Sequence, residues 1–454
     1  MSTSPPRVTA LRGSALTFVD DPFLVDPESS FRYESDGLIV IRDGTIAAFG
    51  AYDAIRHELP PDVVMTSYGA DSLIVPGFVD AHVHYPQTQM IAAPGGQLLD
   101  WLNSYALPAE QQFADRAHAE QAARVFLREL LRRGTTTAAV YCTVFAESVD
   151  AFFAESERLN TRMIAGKVLM DRHAPAALLD PPGGGYDESS ALIRRWHGRG
   201  RQLYAVTPRF APTSSPEQMA MAGALWKAHP GTYLQSHVCE NRAEIEWVRE
   251  LYPRHKRYLD VYDHYGQLGP RAVFGHAVWF DERDFRRCHD TGTALAHCPS
   301  SNFFLGSGLF RTHDARRRDR PVRVGLGTDV GAGTSLSQLA SMSDAGKVAQ
   351  LGGAPLTPIH LLYLATAGGA HALYLDGKVG AIMPGREADL VVLDLRSTPL
   401  IDYRMNFCRS LEETLLVQMV MGDERAVRAT YVAGVLAHDR DGGGPEGPPY
   451  NSRS

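Results

Sequence analysis

The chain has 454 residues, 44% of them hydrophobic and 21% charged, and 45 Lys and Arg against 52 Asp and Glu leave a net charge of −7. This is the composition of a globular protein and excludes a disordered chain, a collagen-like repeat and a coiled-coil rod. The mild acidity argues against sequence-independent nucleic-acid binding, which needs a clustered basic face; the densest basic run, Arg316 to Arg320, is expected to be a solvated loop. Five cysteines, Cys142, Cys239, Cys288, Cys298 and Cys408, are an odd number with no CxxC pair, which fits a reducing compartment better than a disulfide framework. The N-terminus has no unbroken apolar run of the secretory type, and no stretch approaches the ~20 apolar residues that span a bilayer. A cytoplasmic protein with no membrane partner is expected.

In chain order, the first clear element is Gly37 to Gly50, two short apolar runs around Asp43-Gly44, which predicts a hairpin. The middle, residues 71–380, alternates short apolar runs with helical patterns such as Asp115 to Arg133. Eight runs read as strands: Leu73–Val79, Thr135–Tyr141, Arg162–Leu169, Leu203–Thr207, Tyr233–His237, Ala272–His276, Thr293–His297 and Val322–Leu326. Eight strand-then-helix units predict an α/β fold, a closed (β/α)8 barrel. Beyond it, Asp389–Leu395 and Val427–His438 are again short β-like runs. Isolated hairpins are marginal in water, so the two chain ends, 1–70 and 381–440, are expected to meet in one small β domain. The tail 441–454, rich in Gly and Pro, is expected to be poorly ordered.

Barrel enzymes carry their chemistry at the C-terminal ends of strands. The first strand runs into His82-Val83-His84, and alternation along an extended chain puts both imidazoles on one face. His237, His276 and Asp329 follow the apolar runs of the fifth, sixth and eighth strands. An unpaired polar group buried there is costly, so four histidines and an aspartate converging on one barrel mouth predict a metal site, with Zn²⁺ or Fe²⁺ as the ions that suit imidazole. Glu240, three residues after His237, fits a proton shuttle beside the metal, and also a carboxylate favoured at the start of the helix that follows. Asp329 can both hold the metal and accept a proton from water. His118-Ala119-Glu120 matches half of the cytidine-deaminase zinc motif, but no P-C-x-x-C accompanies it, and His118 is expected to face solvent on a helix. His57, His313 and His371 are expected to be structural.

The segment from Pro76 to His84 (PGFVDAHVH) resembles the opening signature of the amidohydrolase superfamily, and the order HxH, His, His, Asp resembles its metal set. Further blocks, Tyr85 to Gln89 with Gln97 to Leu102, Gly166 to Pro175, Thr207 to Pro212, Ser236 to Asn241, Ala296 to Asn302 and Gly325 to Gly331, are similar to the guanine deaminase family within it. That resemblance implies one zinc per subunit on His82, His84, His237 and Asp329, with His276 touching the attacking water and Glu240 as proton shuttle. It implies a purine pocket from Gln87, Arg209 and Phe210, with Tyr85, Pro86 and the ligands His84, His237 and Asp329 also meeting substrate. It further implies a β-sandwich from the chain ends, a homodimer and a role in purine catabolism. Two-metal members of the superfamily carry a carboxylated lysine at the end of the fourth strand, where this chain has Pro208-Arg209; Lys167 falls on the third strand, so one metal is expected. At Asp171-Arg172-His173 the chain departs from the family, which more often has asparagine third.

The chemistry agrees with the resemblance. Hydrolytic deamination needs a nucleophilic water at neutral pH, and zinc lowers the pKa of water from about 15.7 to about 7. Attack on C2 of guanine requires a proton at N3, which Glu240 can take from water and deliver before protonating the leaving amine. The acceptor pair O6 and N7 matches a guanidinium bidentately, which Arg209 supplies, and Phe210 offers a ring face. Other substrates keep the same site with a different ring: another aminopurine, a pterin or an s-triazine. A catalytically inactive barrel scaffold is the reading outside enzymology.

Overall fold

The chain changes sheets at Gly77. In the computed structural model, which describes residues 8–94, 96–181 and 183–442, Ser72–Pro76 pairs with Val8–Phe18 and Leu390–Asp394. Phe78–His84, which we call β1, pairs instead with Thr135–Tyr141, β2. The predicted strand Leu73–Val79 is therefore two strands of different sheets. A side chain at Gly77 would collide with Thr136 of β2, so the crossing point has room for glycine alone. A continuous apolar run conceals such a crossing, because both halves are buried.

From β2 the barrel continues through Arg162–Gly166 (β3), Leu203–Pro208 (β4), Tyr233–Val238 (β5), Ala272–His276 (β6), Ala294–His297 (β7) and Val324–Leu326 (β8), each parallel to the last. The seam between β8 and β1 is closed by the Asp329 amide donating to the His82 carbonyl at 2.9 Å and the His84 amide donating to the Val330 carbonyl at 3.2 Å. This is the (β/α)8 barrel expected from eight apolar runs. Its strands are covered on both faces, so they read as near-continuous apolar runs without alternation. Their helices show the complementary pattern: Arg116–Arg132 is capped by Asp115, which accepts from the Ala117 amide, and buries Ala123, Phe126, Leu127 and Leu130 on one face.

The chain ends form a second sheet. Val8–Phe18, Phe31–Arg42, Thr45–Ala51 and Ser72–Pro76 from one end join Leu390–Asp394, Val427–Val432 and Val435–Asp439 from the other. The Asp43-Gly44 turn has φ of 49° and 79°, positive at both central positions as a two-residue type I′ hairpin requires. Leu11, Ile39, Ile74, Val392 and Tyr431 share one buried cluster, which neither end could assemble alone. Between Leu390–Asp394 and Val427–Val432 the chain returns to the barrel: Leu411–Met421 places Leu415 and Met419 in the same buried cluster as Leu339 and Met342.

Two expectations are corrected here. The run Arg316 to Arg320 is not wholly solvated. Arg316 and Arg320 are buried, paired with Asp21 and Glu282, while Arg317 and Arg318 face solvent. His118 is half-buried, its ring edge-on to Phe113 at 4.9 Å. All five cysteines are free, and among the described residues no helix is long and apolar enough to cross a membrane. Of the tail 441–454, only Asp441 and Gly442 lie among the described residues.

Candidate active site

The barrel mouth collects the predicted residues. His82 and His84 leave β1 on the interior face, both buried. Asp80 anchors the strand end: its carboxylate accepts from the Thr328 amide at 3.0 Å, the Thr328 hydroxyl and the His82 amide at 3.2 Å. This ties β1 to the loop after β8 that carries Asp329. Burial pushes the Asp80 carboxyl up to about 6, although the three donors oppose the shift. His276, Asp329 and Cys239, the last lying between His237 and Glu240, adopt φ of 72°, 48° and 49°. Left-handed backbone at non-glycine residues is costly and gathers at functional sites; here it marks three strand ends around the mouth.

One donor atom from each of His82, His84, His237 and Asp329 lies within 4.8 Å of the others. Asp329 Oδ1 is 3.3 Å from His82 Nε2 and 3.4 Å from His84 Nε2, and the Nε2 atoms of His84 and His237 are 3.1 Å apart. His237 Nδ1 donates to the Arg209 carbonyl at 2.6 Å, a bond that fixes the tautomer and turns the Nε2 lone pair into the site. His82 Nε2 is buried with no hydrogen-bond partner in the protein. Burial and the neighbouring imidazole charges hold His84 and His237 well below the usual histidine range, which is the neutral form a metal requires. Burial works against ionisation of Asp329, but the close approach and charge of His82, then the charge of His276, hold its carboxyl below the usual range. Three imidazoles and a carboxylate converging on one buried space fit a divalent ion of the zinc type.

His276 sits beside this group. Its Nδ1 is 2.9 Å from Asn302 Oδ1, and its Nε2 is 3.3 Å from Glu240 Oε2 and 3.7 Å from Asp329 Oδ2. Glu240 is buried, and burial, followed by the charges of Asp329 and Glu244, raises its carboxyl well above the ordinary range. Glu240 is not the helix-capping carboxylate. That task belongs to Glu244, which accepts from the amides of Glu240 and Asn241 at 2.9 and 3.1 Å. Lys167 is buried on its pair with Asp180, with Glu188 at 3.5 Å, and takes no part in the site.

Gln87, Arg209 and Phe210 line the same cavity as Glu240 and the imidazoles, together with Leu98 and Trp101. Tyr85 and Pro86 do not line it. The Tyr85 hydroxyl donates to the Ser148 carbonyl at 2.7 Å and its ring packs edge-on against Phe113, because alternation after His84 sends it into the helical layer. Sequence reasoning missed Glu110, which pairs with Arg209, and Asn302, which holds His276; Asn302 stands in a block singled out by resemblance, whereas Glu110 carries no local signal. An adjoining cavity of about 320 Å³ shares Arg209 and Phe210 and is bordered by His173 and Trp247. The departure at His173 thus lies outside the inner site, its Nδ1 donating to the Pro212 carbonyl at 2.7 Å.

The amidohydrolase family matches residues 73–437. The chain belongs to that family. Within the family it is 46% identical over 445 residues to the guanine deaminase of Escherichia coli (strain K12), covering 97% of this chain and 100% of that one. A solved structure of E. coli guanine deaminase superposes with a TM-score of 0.93, covering 95% and 100% of the two chains. The guanine deaminase from Bradyrhizobium japonicum, 36% identical, gives 0.92 over 95% of this chain and 99% of that one. The guanine deaminase from C. acetobutylicum, solved with guanine in its active site, is 25% identical and gives 0.83 over 94% and 99%.

Proposed function

We propose that this amidohydrolase deaminates guanine, converting guanine and water to xanthine and ammonia, with one zinc ion per subunit on His82, His84, His237 and Asp329. The observation that carries the reading is a buried guanidinium, Arg209, on the wall of the cavity that also holds the imidazole cluster and Glu240. A purine with an acceptor pair at O6 and N7 is the ring such a donor fork suits, and the C. acetobutylicum relative binds guanine in its active site. Fe²⁺ is the other ion this donor set accommodates.

When bound, the ion supplies the Lewis acidity that makes water a nucleophile at neutral pH. The protein's own groups do the rest. Arg209 orients the ring through O6 and N7, and Phe210 covers one face. His276, held by Asn302, presents Nε2 toward the attacking water, and Asp329 accepts a proton from it. Glu240 moves one proton of the water to N3 as the C2–O bond forms, then takes up the second water proton, which Asp329 had accepted, and delivers it to the exocyclic nitrogen as the C2–N bond breaks and ammonia leaves. The same reading makes the protein a cytoplasmic homodimer; its unpaired cysteines support the compartment.

The test is ammonia release from guanine, adenine, ammeline and an aminopterin side by side, with zinc and iron measured in the same preparation. Guanine should be preferred and xanthine should accumulate. A preference for adenine would overturn the role of Arg209, and a fully metallated protein that turns over none of the four would point to the scaffold reading.

A further inference from the structure

The guanidinium that carries the proposed function does not stand alone. Glu110 lies on the short helix Leu107–Gln111, and its side chain is 1% exposed. Both of its oxygens accept from Arg209 Nη1, at 2.8 and 2.6 Å, and Oε1 also accepts from Gln87 Nε2 at 3.0 Å. A buried carboxylate with two donors from two pocket residues, and no other charge to neutralise, is a built feature.

We propose that Glu110 is the positioning residue of the ring-binding pocket: it determines which edge of Arg209 and which end of Gln87 the substrate meets. This rests on the reading of the cavity as a guanine site. Because the carboxylate holds Nη1, the donor pair left for a ligand is Nε with Nη2, and the planar guanidinium cannot turn about its axis without breaking both bonds. Gln87 is fixed by the same logic. A carboxylate only accepts, so Nε2 must face Glu110, and the Gly331 amide only donates, so Oε1 faces Gly331, at 3.4 Å. Glu110 also cancels the charge that Arg209 would otherwise carry unpaired into a buried wall. The result is a donor fork of set direction on a neutral framework. It suits a ring whose six-position is a carbonyl and disfavours one whose six-position bears hydrogen or an amino group.

A residue that merely supported the fold would weaken all ligands alike, so the test reads a ratio. On zinc-loaded protein carrying Glu240→Gln, which suppresses turnover, 2-aminopurine binding is followed by its fluorescence and guanine is measured as competitor. 2-Aminopurine has the same ring but lacks O6. Adding Glu110→Gln should weaken guanine by between about tenfold and a hundredfold and leave 2-aminopurine within about twofold, so that the preference for guanine collapses. In an Arg209→Met background the same substitution should change the preference no further, since it acts through Arg209. Glu110→Asp keeps the charge with a shorter reach and gives the same readout where the glutamine variant does not fold. Equal weakening of both ligands, or an undiminished preference for guanine, would overturn the positioning role. If the parent protein shows no preference for guanine, the reading of the pocket itself has failed, a result distinct from either outcome for Glu110.

Discussion

Glu240 is buried between Ser307, whose hydroxyl donates to Oε1 at 3.4 Å, and His276, whose Nε2 lies 3.3 Å from Oε2. Burial first, then the like charges of Asp329 and Glu244, raise its proton affinity, and a carboxylate of raised proton affinity is suited to taking a proton from water and passing it to a ring nitrogen. Glu240→Gln keeps the shape and removes the transferable proton. The expected outcome is a kcat lower by about 10²–10⁴, with metal content and guanine binding retained, checked by ammonia release beside metal analysis; a kcat near that of the parent would take Glu240 off the proton path. Glu240 was legible because it follows a ligand histidine at an offset that is not a ligand's. Glu110 was not: a glutamate in Pro108-Ala109-Glu110-Gln111 reads as a solvated helix face, and its partner lies 99 residues further along the chain. Tyr85 shows the opposite error, since membership of a motif placed it in the pocket while strand alternation sends its ring away.

The strands make the site possible through what they leave out. A Cβ on Gly275, the last residue of β6 before His276, would lie 2.6 Å from Cε1 and 2.8 Å from Nδ1 of His82, closer than real contacts permit. The absence of a side chain on one strand therefore makes space for a ligand ring from another. Gly275→Ala should push the His82 imidazole out of line and lower metal affinity by about 10–100-fold, the size of effect seen when groups supporting a ligand are disturbed. Competition with a chelator of known affinity measures this, and unchanged metal retention would show that the ring relaxes freely. Strand identities were legible because two-sided burial makes each a short apolar run. The requirement for glycine at 275 and 77 was not, because it depends on which side chain the neighbouring strand points across.

At the scale of the molecule, the barrel and the terminal sheet are joined by a charged seam. Glu387 receives Arg162 Nε at 2.6 Å and Arg201 Nη2 at 2.6 Å, and the same Arg201 nitrogen reaches Asp389 Oδ2 at 2.6 Å. Arg162 and Arg201 flank the starts of β3 and β4, while Glu387 and Asp389 lead into a strand of the other sheet. That the ends must meet follows from the weakness of isolated hairpins, but a seam of this kind has no local signature. Burial would raise the Glu387 carboxyl, yet the hydrogen bond from Arg162 and the charge of Arg201 hold it below its ordinary value of 4.5. A carboxyl depressed in the folded state stabilises fully above its unfolded value, and that stabilisation is lost as pH falls through the folded one. Glu387→Gln should thus destabilise on the order of 3 kcal/mol at neutral pH, as breaking a largely buried ion pair does. The gap between variant and parent should hold constant down to about pH 4.5 and then narrow in more acid solution, by the part that the lowered carboxyl contributes. Urea unfolding of both proteins across that range measures it; a gap that stays the same at every pH would mean that the seam contributes by shape and hydrogen bonding, with no part played by its charge.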